Sequence, residues 1–188
     1  MYTQKQKNII LKIAKDAIKD AILNTKNVTK ESLLSSYPWL KEKGAVFVTI
    51  NEYNALRGCI GSIIAHRSLI DDIIYNAQAA ALSDPRFEPV GKEELDKLEI
   101  EVSILTPPKL LNYKNTADLR EKIRVGIDGV IINLNGHQAT YLPSVWEQIK
   151  SFDIFFNSLC VKAGLRPDCL EQHPSIYTYE AIKIKNTK

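Results

Sequence analysis

Glycine and proline are scarce in this 188-residue sequence, eight of each, and it holds three cysteines, two tryptophans and one methionine. So little glycine and proline, without a repeat period, excludes a collagen-like or low-complexity chain. Cys59, Cys160 and Cys169 are an odd number with no CxxC pair. That pattern predicts reduced thiols in a cytoplasmic protein and no disulfide framework. No apolar run approaches the roughly 20 residues of a membrane-spanning helix. The opening MYTQKQKNII lacks an apolar stretch and a small-residue cleavage site, so no secretory signal is expected. An excess of one charge is missing too: 25 Lys and Arg face 22 Asp and Glu, a net charge of +3. Lys5, Lys7, Lys12, Lys15 and Lys19 read as a solvated helix face rather than a dense patch interleaved with aromatics, and no nucleic-acid partner is expected. GxSxG, GxGxxG, P-loop and HExxH motifs are absent, so no cofactor is expected. Cys169 and His173 have ligand-like spacing but no second pair, so no metal is expected either.

What is present is a 45% hydrophobic chain, long enough to bury a core of its own. The length predicts one domain over residues 1–188, or one domain with a small appended lobe. Ile9, Ile10, Ile13, Ala14, Ala17, Ile18, Ala21 and Ile22 recur at helical spacing and predict an amphipathic helix over residues 5–24. GAVFVTI (44–50) and LRGCIG (56–61) read as strands joined by a hairpin connection, NEYNA. Ser68 and Asp71 form a capping-box-like start to a helix that Pro85 and Pro89 bring to an end. IEVSIL (100–105) alternates as a strand, and Asn115 caps a helix through Arg124. Asn135-Gly136 suits the positive φ of a type I′ hairpin. Ser151 opens a helix that Gly164 closes, and IYTYEAIKIK is a final strand. Hairpin links without a βαβ rhythm predict an α+β fold with a largely antiparallel sheet flanked by helices.

Three segments carry candidate chemistry. In LRGCIG, strand alternation sets Arg57 and Cys59 on one face, with Gly58 and Gly61 removing bulk. A guanidinium beside a thiol favours thiolate and also suits a carboxylate or phosphate ligand. The competing reading makes Cys59 a small buried hydrophobe and Arg57 half of a structural ion pair. In SDPRF, Asp84 and Arg86 straddle a proline on a loop past a helix, fitted either to orient a ligand or to stabilise the turn. Glu101 interrupts an apolar strand, and on a covered face its charge needs a partner such as Arg57 or Arg86. His137, at a hairpin turn, is a remote candidate base for Cys59.

LRGCIG, AQAAALSDPRF (77–87), IEVSILTPP (100–108), GIDGVII (126–132), YLP (141–143) and LCVKAGL (159–165) occur in one order. Together they resemble the AMMECR family, protein A of the AmmeMemoRadiSam system, from about residue 44 to the final strand. The resemblance implies an antiparallel sheet flanked by helices, a smaller lobe and a cleft beside the signature strand. It also implies association with a Memo-like protein and a radical-SAM protein, acting on a small molecule, protein or nucleotide. Carried over residue by residue, it marks Cys59, Arg57 and Glu101 as catalytic candidates, and Asp84, Arg86, Thr106 and Asp128 as substrate-binding ones. The chain departs from the family pattern at Leu142-Pro143-Ser144-Val145-Trp146, where relatives place a tryptophan later, at the stretch holding Phe152 and Phe155. A non-catalytic adaptor for the same partners is the alternative reading.

Overall fold

The isoleucine–alanine stripe near the amino terminus folds as α1 (Gln4–Leu23) in the computed structural model, which describes residues 2–185. Thr3 and Gln6 close a capping box at its start, and Asn24 ends it in the left-handed region. The polar link beyond holds a short helix, α2 (Lys30–Ser36). The hairpin follows as β1 (Ala45–Glu52) and β2 (Ala55–Gly61), turning at Tyr53 and Asn54, both with positive φ. Helix α3 (Leu69–Leu82) is capped by the Ser68 hydroxyl, which accepts from the Asp71 amide. After it come β3 (Leu98–Leu105) and, from the far end of the chain, β8 (Ala181–Lys185).

The chain divides into two compact units, one running to Leu105 and resuming at Ile182, the other spanning Thr106–Ala181. In the first, four strands lie in the order β2-β1-β3-β8, with β1 antiparallel to both β2 and β3. Val46, Val48 and Ile50 of β1 and Val102 and Ile104 of β3 pack against Ile10, Ile13, Ala14, Ala17 and Ile18 of α1. Ile70, Ile73, Ala77 and Ala80 of α3 complete this core. The opposite sheet face therefore carries Phe47, Thr49, Glu101 and Ser103, residues of the other parity. Where β2 ends, α3 takes over the polar work. Buried Asp72 accepts from the Val46 amide (2.7 Å) and the Ser62 hydroxyl (2.7 Å), and Asn76 donates to the Val46 carbonyl (3.0 Å).

The second unit holds β4 (Lys109–Leu110), α4 (Thr116–Lys122), β5 (Gly129–Leu134), β6 (His137–Tyr141), α5 (Val145–Gln148), α6 (Phe152–Lys162) and β7 (Ser175–Tyr179). Its antiparallel sheet runs β4-β7-β5-β6. Asn115 caps α4, which ends at Lys122, one turn fraction short of the expected Arg124. Trp146 stacks on Phe155 with ring centroids 3.5 Å apart, so the tryptophan of α5 packs into the aromatic stretch of α6. The α+β architecture is as expected, with the antiparallel strands divided between two sheets. The final run, IYTYEAIKIK, is not one strand: it breaks at Glu180 and serves the second sheet through β7 and the first through β8.

The cysteines overturn one expectation. Cys160 at the end of α6 and Cys169 are bonded to each other, and both are fully buried. The nine-residue separation matches no metal or redox motif. The bridge arises because the Arg166-Pro167-Asp168 turn folds the chain back onto α6. Cys59 is therefore the single free thiol. Closing a loop of nine residues removes about 2.5 kcal/mol of unfolded-chain entropy in the loop-closure model. Replacing both bridged cysteines with alanine is expected to destabilise the second unit by that amount, read from the urea midpoint of Trp146 fluorescence in a Trp39→Phe background. An unchanged midpoint would mean that the bridge contributes nothing to the unit. Among the described residues, no helix is long and apolar enough to cross a membrane.

Candidate functional site

The signature hexapeptide is not a regular strand. Asn51 pairs with Leu56 and Ile50 pairs with Gly58, so Arg57 is an extra residue, a β-bulge in β2. Leu56 and Cys59 consequently share the face of Asn51 and Thr49, while Arg57 and Gly58 both lie opposite Ile50, toward the helices. This corrects the expected geometry, because alternation fails at the residue that mattered most. The Arg57 guanidinium points to a turn rather than to the thiol. Its Nε donates to Glu94 at 2.7 Å, and Nη1 and Nη2 donate to the carbonyls of Glu88 (2.7 Å) and Pro89 (3.3 Å). The hydrogen bond it donates to Glu94 raises the Arg57 pKa, and Arg57 in turn lowers that of Glu94. Gly58 sits against α3 so closely that a Cβ there would meet the Ala80 carbonyl oxygen at 2.1 Å.

The loop after α3 supplies what Arg57 does not. Strand β2 is an edge of its sheet, and at Cys59 its outward backbone groups meet side chains instead of another strand. Asp84, 4% exposed, accepts the Cys59 amide at 2.8 Å, and Arg86 Nη2 donates to the Cys59 carbonyl at 3.2 Å. The two side chains also form a fork: Arg86 Nε to Asp84 Oδ1 at 2.9 Å and Nη2 to Oδ2 at 2.7 Å. Hydrogen bonds from Arg86 hold the Asp84 carboxyl well below the usual carboxylate range. Asp84 in turn raises the pKa of the Arg86 guanidinium, and the neighbouring Cys59 side chain acts in the same direction. The guanidinium beside the thiol is therefore that of Arg86.

On its other side the Cys59 sulfur lies 3.4 Å from the Thr49 hydroxyl. Glu101 is the cross-strand neighbour of Thr49 on β3, so Cys59, Thr49 and Glu101 make one row across three strands. Neither arginine pairs with Glu101: Arg57 is committed to Glu94 and Arg86 to Asp84. Glu101 is half-buried rather than enclosed, so its charge needs no protein partner. A cavity of about 1040 Å³ in the same unit is lined by Lys12, Lys15 and Lys19 of α1 and by Asn51, Glu99 and Glu101; Cys59 does not line it.

Thr106 and Asp128 belong to the second unit. Thr106 pairs with Glu180 through its amide (2.9 Å) and its hydroxyl (2.8 Å), at the break between β7 and β8. Asp128 is buried and accepts from the Arg124 amide at 2.8 Å and from its side chain, while its carbonyl accepts the Trp146 indole N–H at 2.8 Å. His137 Nδ1 lies 3.3 Å from the Ala163 carbonyl, and His173 stacks on Tyr113. Cys169, bonded to Cys160, is withdrawn from any pairing with His173 on a metal. Among the described residues, no group of three or more His, Cys, Asp or Glu is placed to hold a metal ion. Thr49 and Glu94 escaped the sequence reading; the opposite parity of β1 was the signal for Thr49, usable only with the bulge in hand.

The AMMECR1 family model matches residues 11–184. A protein of Methanothermobacter thermautotrophicus is 38% identical over 178 residues, covering 92% of this chain and 90% of the relative. Protein PH0010 of Pyrococcus horikoshii is 38% identical over 183 residues, covering 92% and 85%. The crystal structure of that uncharacterized protein superposes with a TM-score of 0.81 at 35% identity, over 93% of this chain and 88% of the other.

Proposed function

We propose, from the premise that this chain belongs to the AMMECR1 family, that it is an enzyme or enzyme subunit acting through the thiol of Cys59. One observation carries the reading. The single free thiol is part-exposed and stands between a guanidinium and a hydroxyl, on a backbone fixed at both its amide and its carbonyl. A nucleophile needs this kind of fixed position and a neighbouring positive charge. Cys59 is the nucleophile. Arg86 stabilises negative charge on the sulfur or on the group it attacks. Glu101 is the carboxylate at the end of the row, suited to take up a proton by way of Thr49. Arg57 acts through position, pinning the bulge that turns Cys59 to its face. Thr106 and Asp128 belong to this proposal as substrate-binding candidates on family resemblance alone. The Memo-like and radical-SAM partners belong to this proposal on family resemblance; the cytoplasmic setting is part of it too, and the Cys160–Cys169 bridge stands against the reduced thiols expected there.

With two of three cysteines bridged, labelling is unambiguous. Iodoacetamide is expected to modify the native protein once, at Cys59, and Cys59→Ser is expected to abolish both labelling and activity while co-purification with the two partners persists. Labelling that appears only after denaturation would remove the thiol from consideration. A Cys59→Ser protein that keeps full function in the assembled system would favour the adaptor role instead.

A further inference from the structure

We infer that the Cys59 site takes an electrophile bearing an anionic group, a carboxylate or phosphate, received by the free Nη1 of Arg86. The inference deepens the proposed thiol function and rests on it. Arg86 uses Nε and Nη2 on Asp84 and on the Cys59 carbonyl, and no described residue accepts from Nη1. The pair is also lopsided: the Arg86 side chain is 53% exposed and that of Asp84 only 2%. A ligand arriving at the sulfur therefore meets the guanidinium end of the pair, while the carboxylate is turned inward onto the Cys59 and Arg86 amides. The Thr49 hydroxyl, on the opposite side of the sulfur, adds a further donor.

The opposing charge is Glu101. It lies two strands from Cys59, about 10 Å at ordinary strand spacing. Arg86 touches the Cys59 residue directly, so the local positive charge outweighs the distant negative one. A guanidinium edge of this kind matches the oxygens of a carboxylate or a phosphate.

Two alkylating reagents of nearly the same size test this, iodoacetate with a carboxylate and neutral iodoacetamide. In both, a sulfur–carbon bond forms from the thiolate as the carbon–iodine bond breaks and iodide leaves. The ratio of the two rates at Cys59 is expected to exceed that of a small free thiol by about fivefold, as one exposed charge contact provides. It should fall toward the free-thiol value in high salt and in Arg86→Gln. A loosened loop or altered exposure moves both rates together, so the ratio isolates the anion contact. Protection from iodoacetamide by inorganic phosphate or by acetate, at constant ionic strength, identifies which anion fits. A ratio equal to that of the free thiol, or one unmoved by Arg86→Gln, would overturn the inference and leave the thiol function standing. Failure of both reagents to label would remove the thiol function itself.

Discussion

Gly58→Ala is expected to destabilise the first unit by at least about 3 kcal/mol, the upper part of the range for overpacking a tightly fitted core. The added Cβ would lie 2.1 Å from the Ala80 carbonyl oxygen and 3.1 Å from its carbon, and both are helix backbone that cannot rotate aside. Relief requires moving α3 off the sheet, and α3 carries Asp72 and Asn76, whose hydrogen bonds hold Val46 of β1. The same displacement pulls on the loop from Ser83 that fastens Cys59. Gly91→Ala is the control. Its Cβ would meet a Glu93 carboxylate oxygen at 2.2 Å, which is equally close, yet a surface carboxylate swings away and the change should stay within about 0.5 kcal/mol. Urea midpoints followed by far-ultraviolet circular dichroism compare the two. Equal, small shifts would show that α3 yields without cost and that its contact with β2 is loose.

That contact explains why the fold was largely readable from the sequence and the site was not. Periodicity reports which face of an element is buried, and so the stripes of α1, α3 and β1 were legible, as was the Asn135-Gly136 hairpin with both φ angles positive. The site depends on a one-residue irregularity. Extending the Glu52–Ala55 pairing regularly from the Tyr53-Asn54 turn would set Cys59 opposite Val48, on the helix side and in the core. The bulge at Arg57 shifts it opposite Thr49 and turns the sulfur to the other face. Nothing in LRGCIG announces a bulge, because what fixes it is an arginine held by Glu94 and two carbonyls more than 30 residues along the chain. The disulfide was illegible for a similar reason: two cysteines of no motif are joined by the local path of a turn. The break at Glu180 hides inside a run, IYTYEAIKIK, that reads as one strand, since the partner that interrupts it, Thr106, is 74 residues away.

Seen together, the bulge and the SDPRF loop divide one task between two arginines. Arg57 sets which face Cys59 occupies, and Arg86 with Asp84 fixes its backbone and supplies the charge. Two opposite readings of each arginine, structural and chemical, were open from sequence. The structure assigns the structural contacts to Arg57, whereas Arg86 makes structural contacts and still presents an unused donor.

Asp84 is the residue on which both parts of that arrangement turn. Asp84→Ala is expected to cost about 3 kcal/mol, because a buried carboxylate that satisfies the Cys59 amide, the Arg86 amide and the Arg86 guanidinium disappears at once. The exposed guanidinium can be rehydrated, so the cost falls mainly on the two amides and the freed edge of β2. The pH dependence has a definite sign. Asp84 is held below its unfolded value by Arg86, so its contribution is complete above about pH 4, near the ordinary aspartate pKa, and is lost as pH falls through the depressed folded value. The gap between the wild-type and Asp84→Ala urea midpoints should therefore be constant at neutral pH and narrow only in strong acid. Taking the difference cancels the other depressed carboxylates, Asp20, Asp71, Glu94 and Asp118, which both proteins share. At neutral pH the variant should also lose the excess of iodoacetate over iodoacetamide labelling at Cys59, since Arg86 is no longer anchored beside the sulfur. Parallel acid curves for the two proteins would show that Asp84 bears no folded-state charge interaction, and the fork would then be an exposed contact of no consequence for Cys59.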